Sequence, residues 1–204
     1  MPNPRLGPEI ANHFELGYRG SIGSPENIAF TLNTALYYSV INGKIVTVEW
    51  PRPDYPSSTT NVARNLDSTA FWGFELAPEF TWNSYLNTGL AFSWNQYTIT
   101  HSQLGVNVLT YYPEFTLNGY VVIKSVKMLS IIPRVEYTGS RYADSEGKYP
   151  LDGYFLAHLK VGADLGSHFT VSIGVENILD TYYEIRQHSP MAGRSFNVSF
   201  TARY

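Results

Sequence analysis

The chain has 204 residues and a formal net charge of -3, with 15% aromatic residues, among them 16 Tyr, and only 15% Asp, Glu, Lys and Arg. Charge is thin against the roughly 25% usual for soluble domains, and the slight acidity disfavours a nucleic-acid partner, which needs a basic patch. With no cysteine, neither a disulfide framework nor a thiolate metal site is available, and no run of 18 apolar residues offers a spanning helix.

In chain order, apolar and polar residues alternate with a period of two over 12–20, the signature of a strand with one greasy and one wet face. A tight connection, SIGSPEN, leads to a strand over 28–41. There Phe30, Leu32, Leu36, Tyr38 and Val40 share one face, and Thr31, Asn33, Tyr37 and Ser39 share the other. Residues 42–67 hold Pro51, Pro53 and Pro56 among Ser, Thr and Asn, so a long loop is expected despite the apolar patch 45–48. Strands follow over about 68–81 and, after a turn at 82–84, to about 98. A longer connection spans 99–113. Strands over 114–124 and 127–141 are joined by almost nothing, 142–151 is a loop, and strands over 152–165 and 168–177 meet at Gly166-Ser167. A long loop, 178–194, precedes a last strand over 195–204, where Phe196, Val198, Phe200 and Tyr204 alternate with Ser195, Asn197, Ser199, Thr201 and Arg203.

About nine strands are therefore expected, with connections that alternate short and long, as in up-and-down membrane barrels. The charges test this. If Phe14, Leu16 and Tyr18 face lipid, Glu15 and Arg19 face inward. If Trp72, Phe74, Leu76 and Phe80 face lipid, Glu75 and Glu79 face inward. The same holds for Arg134, Glu136, His158, Lys160, Asp164, Glu176 and Arg203. A cation on the lipid face at mid-bilayer costs about 2–4 kcal/mol, and the sequence keeps its charges on one register. The expected fold is all-β, an antiparallel up-and-down transmembrane β-barrel sheet. With nine strands the first and last run in the same direction and cannot close as an antiparallel pair, so an open partial barrel is expected.

No nucleophile elbow, phosphate loop, zinc helix motif or EF-hand loop is present, and His13, His101, His158, His168 and His188 lack ligand spacing. Neither an enzyme nor a bound cofactor or metal is expected. Candidate ligand contacts are the aromatic and polar residues of the longer loops, namely Tyr111, Tyr112, Tyr142, Tyr182, Tyr183, Arg186 and His188. They suit stacking on a large polar ligand, although tyrosines at that level also serve as a girdle at the lipid headgroups.

Three segments carry a family resemblance. LGPEIANHFELGYRG (6–20), YTGSRY (137–142) and VENILDTYY followed by SPMAGR (175–183 and 189–194) resemble, in order, landmarks of the C-terminal part of TonB-dependent outer-membrane receptor barrels. Leu179 stands where that family has an aromatic, and Tyr204 stands in place of a terminal Phe. The resemblance implies one barrel segment over 1–204 without a plug domain. It implies uptake of a scarce nutrient, such as an iron–siderophore complex or cobalamin, across the Gram-negative outer membrane. The implied partners are outer-membrane lipid, the rest of the barrel and its plug, the TonB complex acting through that plug, and the barrel-assembly machinery. For the last of these, Phe196, Val198, Phe200 and Tyr204 form the C-terminal signal. Residues 1–14 read as no signal peptide, so either an export signal is expected upstream in a longer receptor, or the resemblance records ancestry rather than present location. The alternative is a small self-standing outer-membrane or lipid-binding barrel with a structural or binding role.

Overall fold

A computed structural model describes residues 3–52, 55–66, 68–100, 104–124 and 128–203. In chain order the strands are β1 (Ile10–Gly23), β2 (Ile28–Asn42), β3 (Ile45–Arg52), β4 (Tyr55–Asn65), β5 (Ser68–Trp82), β6 (Leu86–Thr100), β7 (Phe115–Lys124) and β8 (Leu129–Thr138). They continue with β9 (Arg141–Tyr142), β10 (Pro150–Leu151), β11 (Tyr154–Leu165), β12 (Phe169–Glu176), β13 (Glu184–Arg186), β14 (Ser189–Pro190) and β15 (Ser195–Ala202). Nine of them form one antiparallel sheet in the order β1-β2-β5-β6-β7-β8-β11-β12-β15. Among the described residues β1 pairs only with β2, and β15 only with β12. The sheet is open, in keeping with an odd strand count that rules out an antiparallel closing pair.

The pairing register separates the two faces. Phe14, Leu16 and Tyr18 of β1 lie opposite Tyr38, Leu36 and Thr34 of β2, and Leu36 in turn lies opposite Phe74 of β5. Along this face the side chains are large, apolar and uncovered, including Leu16, Leu36, Ile173, Phe196, Val198 and Phe200. So much contiguous apolar surface is stable only against another apolar phase. The opposite face carries Glu15 across from Tyr37, Arg19 across from Asn33, and Arg134 across from both Tyr120 and His158. Every strand charge assigned to the inner register from the sequence, and lying within β1 to β12, falls on this concave side.

The connections at one end are short, 24–27, 83–85 and 166–168, with Asn83 and Gly166 supplying the left-handed backbone that tight turns need. At the other end lie the long ones. Three of these contain ladders of their own: β3 with β4, β9 with β10, and β13 with β14.

Two sequence expectations are corrected. Residues 42–67 are not a plain loop but the β3–β4 hairpin. Ile45 to Pro51 pair in register with Asn65 to Thr59, while Pro51 sits beside a bulge near the tip, where a missing N–H costs least. The strand expected over 127–141 ends at Thr138, because Arg141 and Tyr142 turn away to pair with Leu151 and Pro150. Tyr204, His101 and Lys127 lie outside the described residues.

The buried core is not under the middle of the sheet. Val48, Leu66, Phe71, Val106 and Leu109 cluster at the long-loop end, with Tyr37, Tyr97 and Tyr112 packed against them. There the β3–β4 hairpin and the segment 104–112 fold over the inner face of β2, β5 and β6.

Candidate functional site

The sequence landmarks prove to be fastenings at the long-loop rim. In the first, Glu9 accepts a hydrogen bond from the Ile45 backbone N–H at 2.5 Å, and Asn65 binds Gly7 N, Gly7 O and Gly43 O at 2.7–2.9 Å. These bonds clamp the lead-in to β1 onto the base of the hairpin. In the last, Asn177 is 3% exposed and closes its own loop by bonding Thr181 O and Thr181 N, both at 2.9 Å. Its φ of +50° is one that Asn tolerates better than most residues. Asp180 then accepts the Arg194 N–H at 2.7 Å, and a side chain on Gly193 would come within 2.6 Å of that carboxylate. The N-x-x-D and G-R pieces of the motif are thus two halves of one clasp closing the loop 177–194.

The middle landmark holds Arg141. Its side chain is almost fully buried, at 6% exposure, and donates to Glu184 O at 2.6 Å and, more weakly, to Gly139 O and Ile185 O at 3.5 Å. Its guanidinium carbon lies 5.3 Å from the centre of the Tyr154 ring, which in turn packs on Tyr183 at 4.6 Å. Tyr182 donates to the Glu184 carboxylate at 2.7 Å. Between these groups is a cavity of about 240 Å³ lined by Asp152, Tyr154, Tyr182, Tyr183 and Glu184.

The expected ligand contacts therefore separate. Tyr182 and Tyr183 share this cavity. Tyr111 and Tyr142 are exposed neighbours, Tyr111 N donating to Tyr142 O at 2.7 Å. Arg186 and His188 are exposed on the β13–β14 turn. Tyr112 goes elsewhere: its ring meets Tyr97 edge-on at 5.3 Å and Phe71 at 5.7 Å. Burial, then its hydrogen bond to Tyr37, raises its phenol well above the ordinary range. Sequence reasoning missed Asp152, Tyr154 and Glu184 as cavity residues, and Arg141 behind them. The inward register of Tyr154, two and four residues before Leu156 and His158, was the signal that marks it.

Lower on the inner wall, β8, β11 and β12 converge their charges. The Glu176 carboxylate contacts His158 Nδ1 and lies 3.1 Å from Arg134, while Glu136 lies 3.7 Å from His158 Nε2. Beneath the opposite half, Glu15, Arg19, Asn33, Glu75 and Asn118 surround a concavity of about 590 Å³. An inner face so rich in carboxylate, guanidinium and amide groups belongs against water or a polar domain, and the outer face belongs against acyl chains.

A family model described as TonB dependent receptor-like, beta-barrel, matches residues 1–178. The chain belongs to the TonB-dependent receptor β-barrel family. Members are outer-membrane β-barrels, receptors and transporters rather than enzymes. Among solved structures, the ferric-catecholate import receptor Fiu of E. coli K12, in its closed form, is similar at 17% identity and a TM-score of 0.77 over 99% of this chain and 29% of that one. The copper transporter OprC is similar at 13% identity and a TM-score of 0.77, over 98% of this chain and 32% of that one. The ferric yersiniabactin uptake receptor FyuA of Yersinia pestis is similar at 15% identity and a TM-score of 0.68, over 96% and 30%. Likeness at such identities shows a shared fold, and the chain spans less than a third of the length of each. No curated protein matches it.

Proposed function

We propose that this chain is the C-terminal wall segment of an outer-membrane receptor that imports a scarce nutrient, an iron–siderophore complex or cobalamin, driven by the TonB complex. The observation that carries the reading is the open nine-stranded sheet with its charges on the concave side and an uncovered apolar outer face. Such a sheet has two unpaired edges, and in a bilayer each unsatisfied backbone group costs several kcal/mol. Further strands of the same receptor pair those edges, and a plug domain fills the wet concavity. On its own, without plug or full wall, the segment does not transport.

Ligand meets the receptor at the long-loop rim, through Tyr111, Tyr142, Tyr182, Tyr183, Arg186 and His188. Phe196, Val198 and Phe200, on the outer face of β15, together with the terminal Tyr204 of the sequence make up the signal that the barrel-assembly machinery reads. The test is an in-frame deletion of residues 10–203 from the chromosomal copy. Cells are then fractionated and assayed for uptake of radiolabelled ferric siderophores and cobalamin. Loss of one uptake activity together with loss of an outer-membrane barrel is expected. Unchanged uptake of every compound, or a wild-type product in the soluble fraction, would overturn the proposal.

A further inference from the structure

The long connections are fastened to one another as well as to their own strands. The β3–β4 hairpin and the segment 104–112 share the buried cluster of Val48, Leu66, Val106 and Leu109, and Leu109 N donates to the Tyr97 hydroxyl at 3.0 Å. The next junction is made by main chain. Asn107 N and Val108 N donate to Ser145 O at 2.8 and 3.2 Å, and Thr110 forms a parallel bridge with Tyr142. In the third junction, from 139–153 to 177–194, the hydrogen bonds among the described residues come from the side chain of Arg141.

That side chain is placed unusually. A buried guanidinium is ordinarily held by a carboxylate, whereas the partners of Arg141 are main-chain carbonyls on both loops and the face of Tyr154. Charge-assisted bonds to carbonyls are strong and directional, and they exist only while the two loops are closed on each other. Each aromatic wall of the cavity depends on this contact. Tyr154 lies beneath the guanidinium, Tyr183 packs on Tyr154, and Tyr182 is tied to the carboxylate of Glu184, the residue whose carbonyl Arg141 holds.

We propose that Arg141 is the positioning residue of the rim cavity. It sets the gap between segments 150–154 and 182–184, and it completes a chain of junctions through which all four long connections move as one body. A ligand that shifts the Tyr182–Tyr183 loop thereby shifts segment 104–112, over 70 residues away in sequence. The inference rests on the reading of the rim as the ligand entrance.

This chain has no cysteine, so spin labels can be placed in it cleanly once any cysteine elsewhere in the receptor is replaced by serine. Labels at Lys148→Cys and His188→Cys report the two loops, and labels at Glu26→Cys and Ser84→Cys report the tight-turn end. The receptor is measured in outer-membrane vesicles by dipolar spectroscopy, and amide hydrogen exchange is followed in parallel. With Arg141 intact, the loop pair gives one narrow distance. Arg141→Met broadens it and removes exchange protection at 184–186, while the tight-turn pair is unmoved. Arg141→Lys, which still offers a donor to Glu184 O, recovers part of the narrow distance. In a double-mutant cycle, Asn107→Ala, which removes the side-chain bond from Asn107 to Glu146 O at 3.2 Å that also ties these two segments, raises exchange in 177–194 only when Arg141 is present. A wild-type loop distance in Arg141→Met, or broadening shared equally by the tight-turn pair, would refute the assignment. No ligand is needed for these readouts, so a failed uptake assay with intact loop distances would count against the proposed function and leave Arg141 in its role.

Discussion

Phe74→Arg tests the membrane assignment most directly. Phe74 is the seventh of the fifteen residues of β5, and on the outer face it lies opposite Leu36 and Trp94, with its ring 5.8 Å from that of Phe92. Arginine at mid-bilayer costs about 2–4 kcal/mol. Loss of the aromatic pair adds about 0.5–1.5 kcal/mol, for a total of about 2.5–5.5 kcal/mol. The adjacent Glu75 points into the concavity, where the wet face tolerates change, so Glu75→Gln should cost no more than about 0.5 kcal/mol. Denaturant titration of the assembled receptor in lipid vesicles, followed by heat-modifiable gel mobility, compares the two variants. Equal shifts in midpoint would refute either the register or the bilayer. A large effect of Glu75→Gln alone would mean that the faces are reversed.

Asn177→Ala removes both bonds to Thr181 and leaves the half-buried Thr181 N–H unpaired, at a cost of about 1 kcal/mol or more. Hydrogen exchange should show lost protection across 178–194 with β11 and β12 unchanged. Deleting 200–204 should abolish insertion, read as loss of the heat-modifiable band from the membrane fraction. The loop around Asp144 should respond to acid. Desolvation opposes ionisation of its carboxyl, but the backbone N–H groups of Tyr149, Lys148 and Glu146 outweigh it and lower the pKa. A lowered folded-state value gives stabilisation that is present above the ordinary carboxylate range, near pH 4, and lost as pH falls through the folded value. Loop 144–149 should therefore lose exchange protection only below about pH 4, and Asp144→Ala should lose it at every pH.

The nine sheet strands were legible because a two-residue period and turn residues are local signals, and the sequence carries both. The β3–β4 hairpin was hidden by its prolines. Pro51, Pro53 and Pro56 read as loop, yet Pro51 sits beside the bulge near the tip. The pairing of Val46 and Val48 with Arg64 and Val62 is stabilised by a core built from segment 104–112. That stabilisation comes from residues distant in sequence, and no window of the hairpin contains it. The rim cavity was legible only in part for the same reason. Tyr182 and Tyr183 stood out by type and by lying in a loop, whereas the bond from Arg141 to Glu184 spans 43 residues. Tyr112 stood out equally by type, and only the fold reveals that its ring faces the core. The motifs marked the right places without saying why. Asn177, Asp180 and Arg194 belong together because they are mechanically one clasp.

The open sheet also dictates what can complete it. β1 and β15 both run from the long-loop rim toward the tight turns, since β1 leads into the turn 24–27 and Ala202 of β15 lies opposite Phe169, beside the turn 166–168. A second copy of the chain would offer the same two polarities and could close the wall only through parallel seams, which the even-stranded single-chain barrels of bacterial outer membranes do not use. The completing segment must begin and end on strands running the other way, so it contributes an odd number, about 13 if the wall closes near 22 strands. Its register against β1 is fixed as well. Leu16 and Tyr18 face outward while Glu15 and Arg19 face inward, so a slip of one residue would turn every side chain of the new strand to the wrong face. Any lysine or arginine of that strand meant for the wet interior would then enter lipid, at about 2–4 kcal/mol apiece. The penalty is larger than most single hydrogen bonds could offset, so the alternating edge of β1 selects its neighbour's register by the cost of getting it wrong.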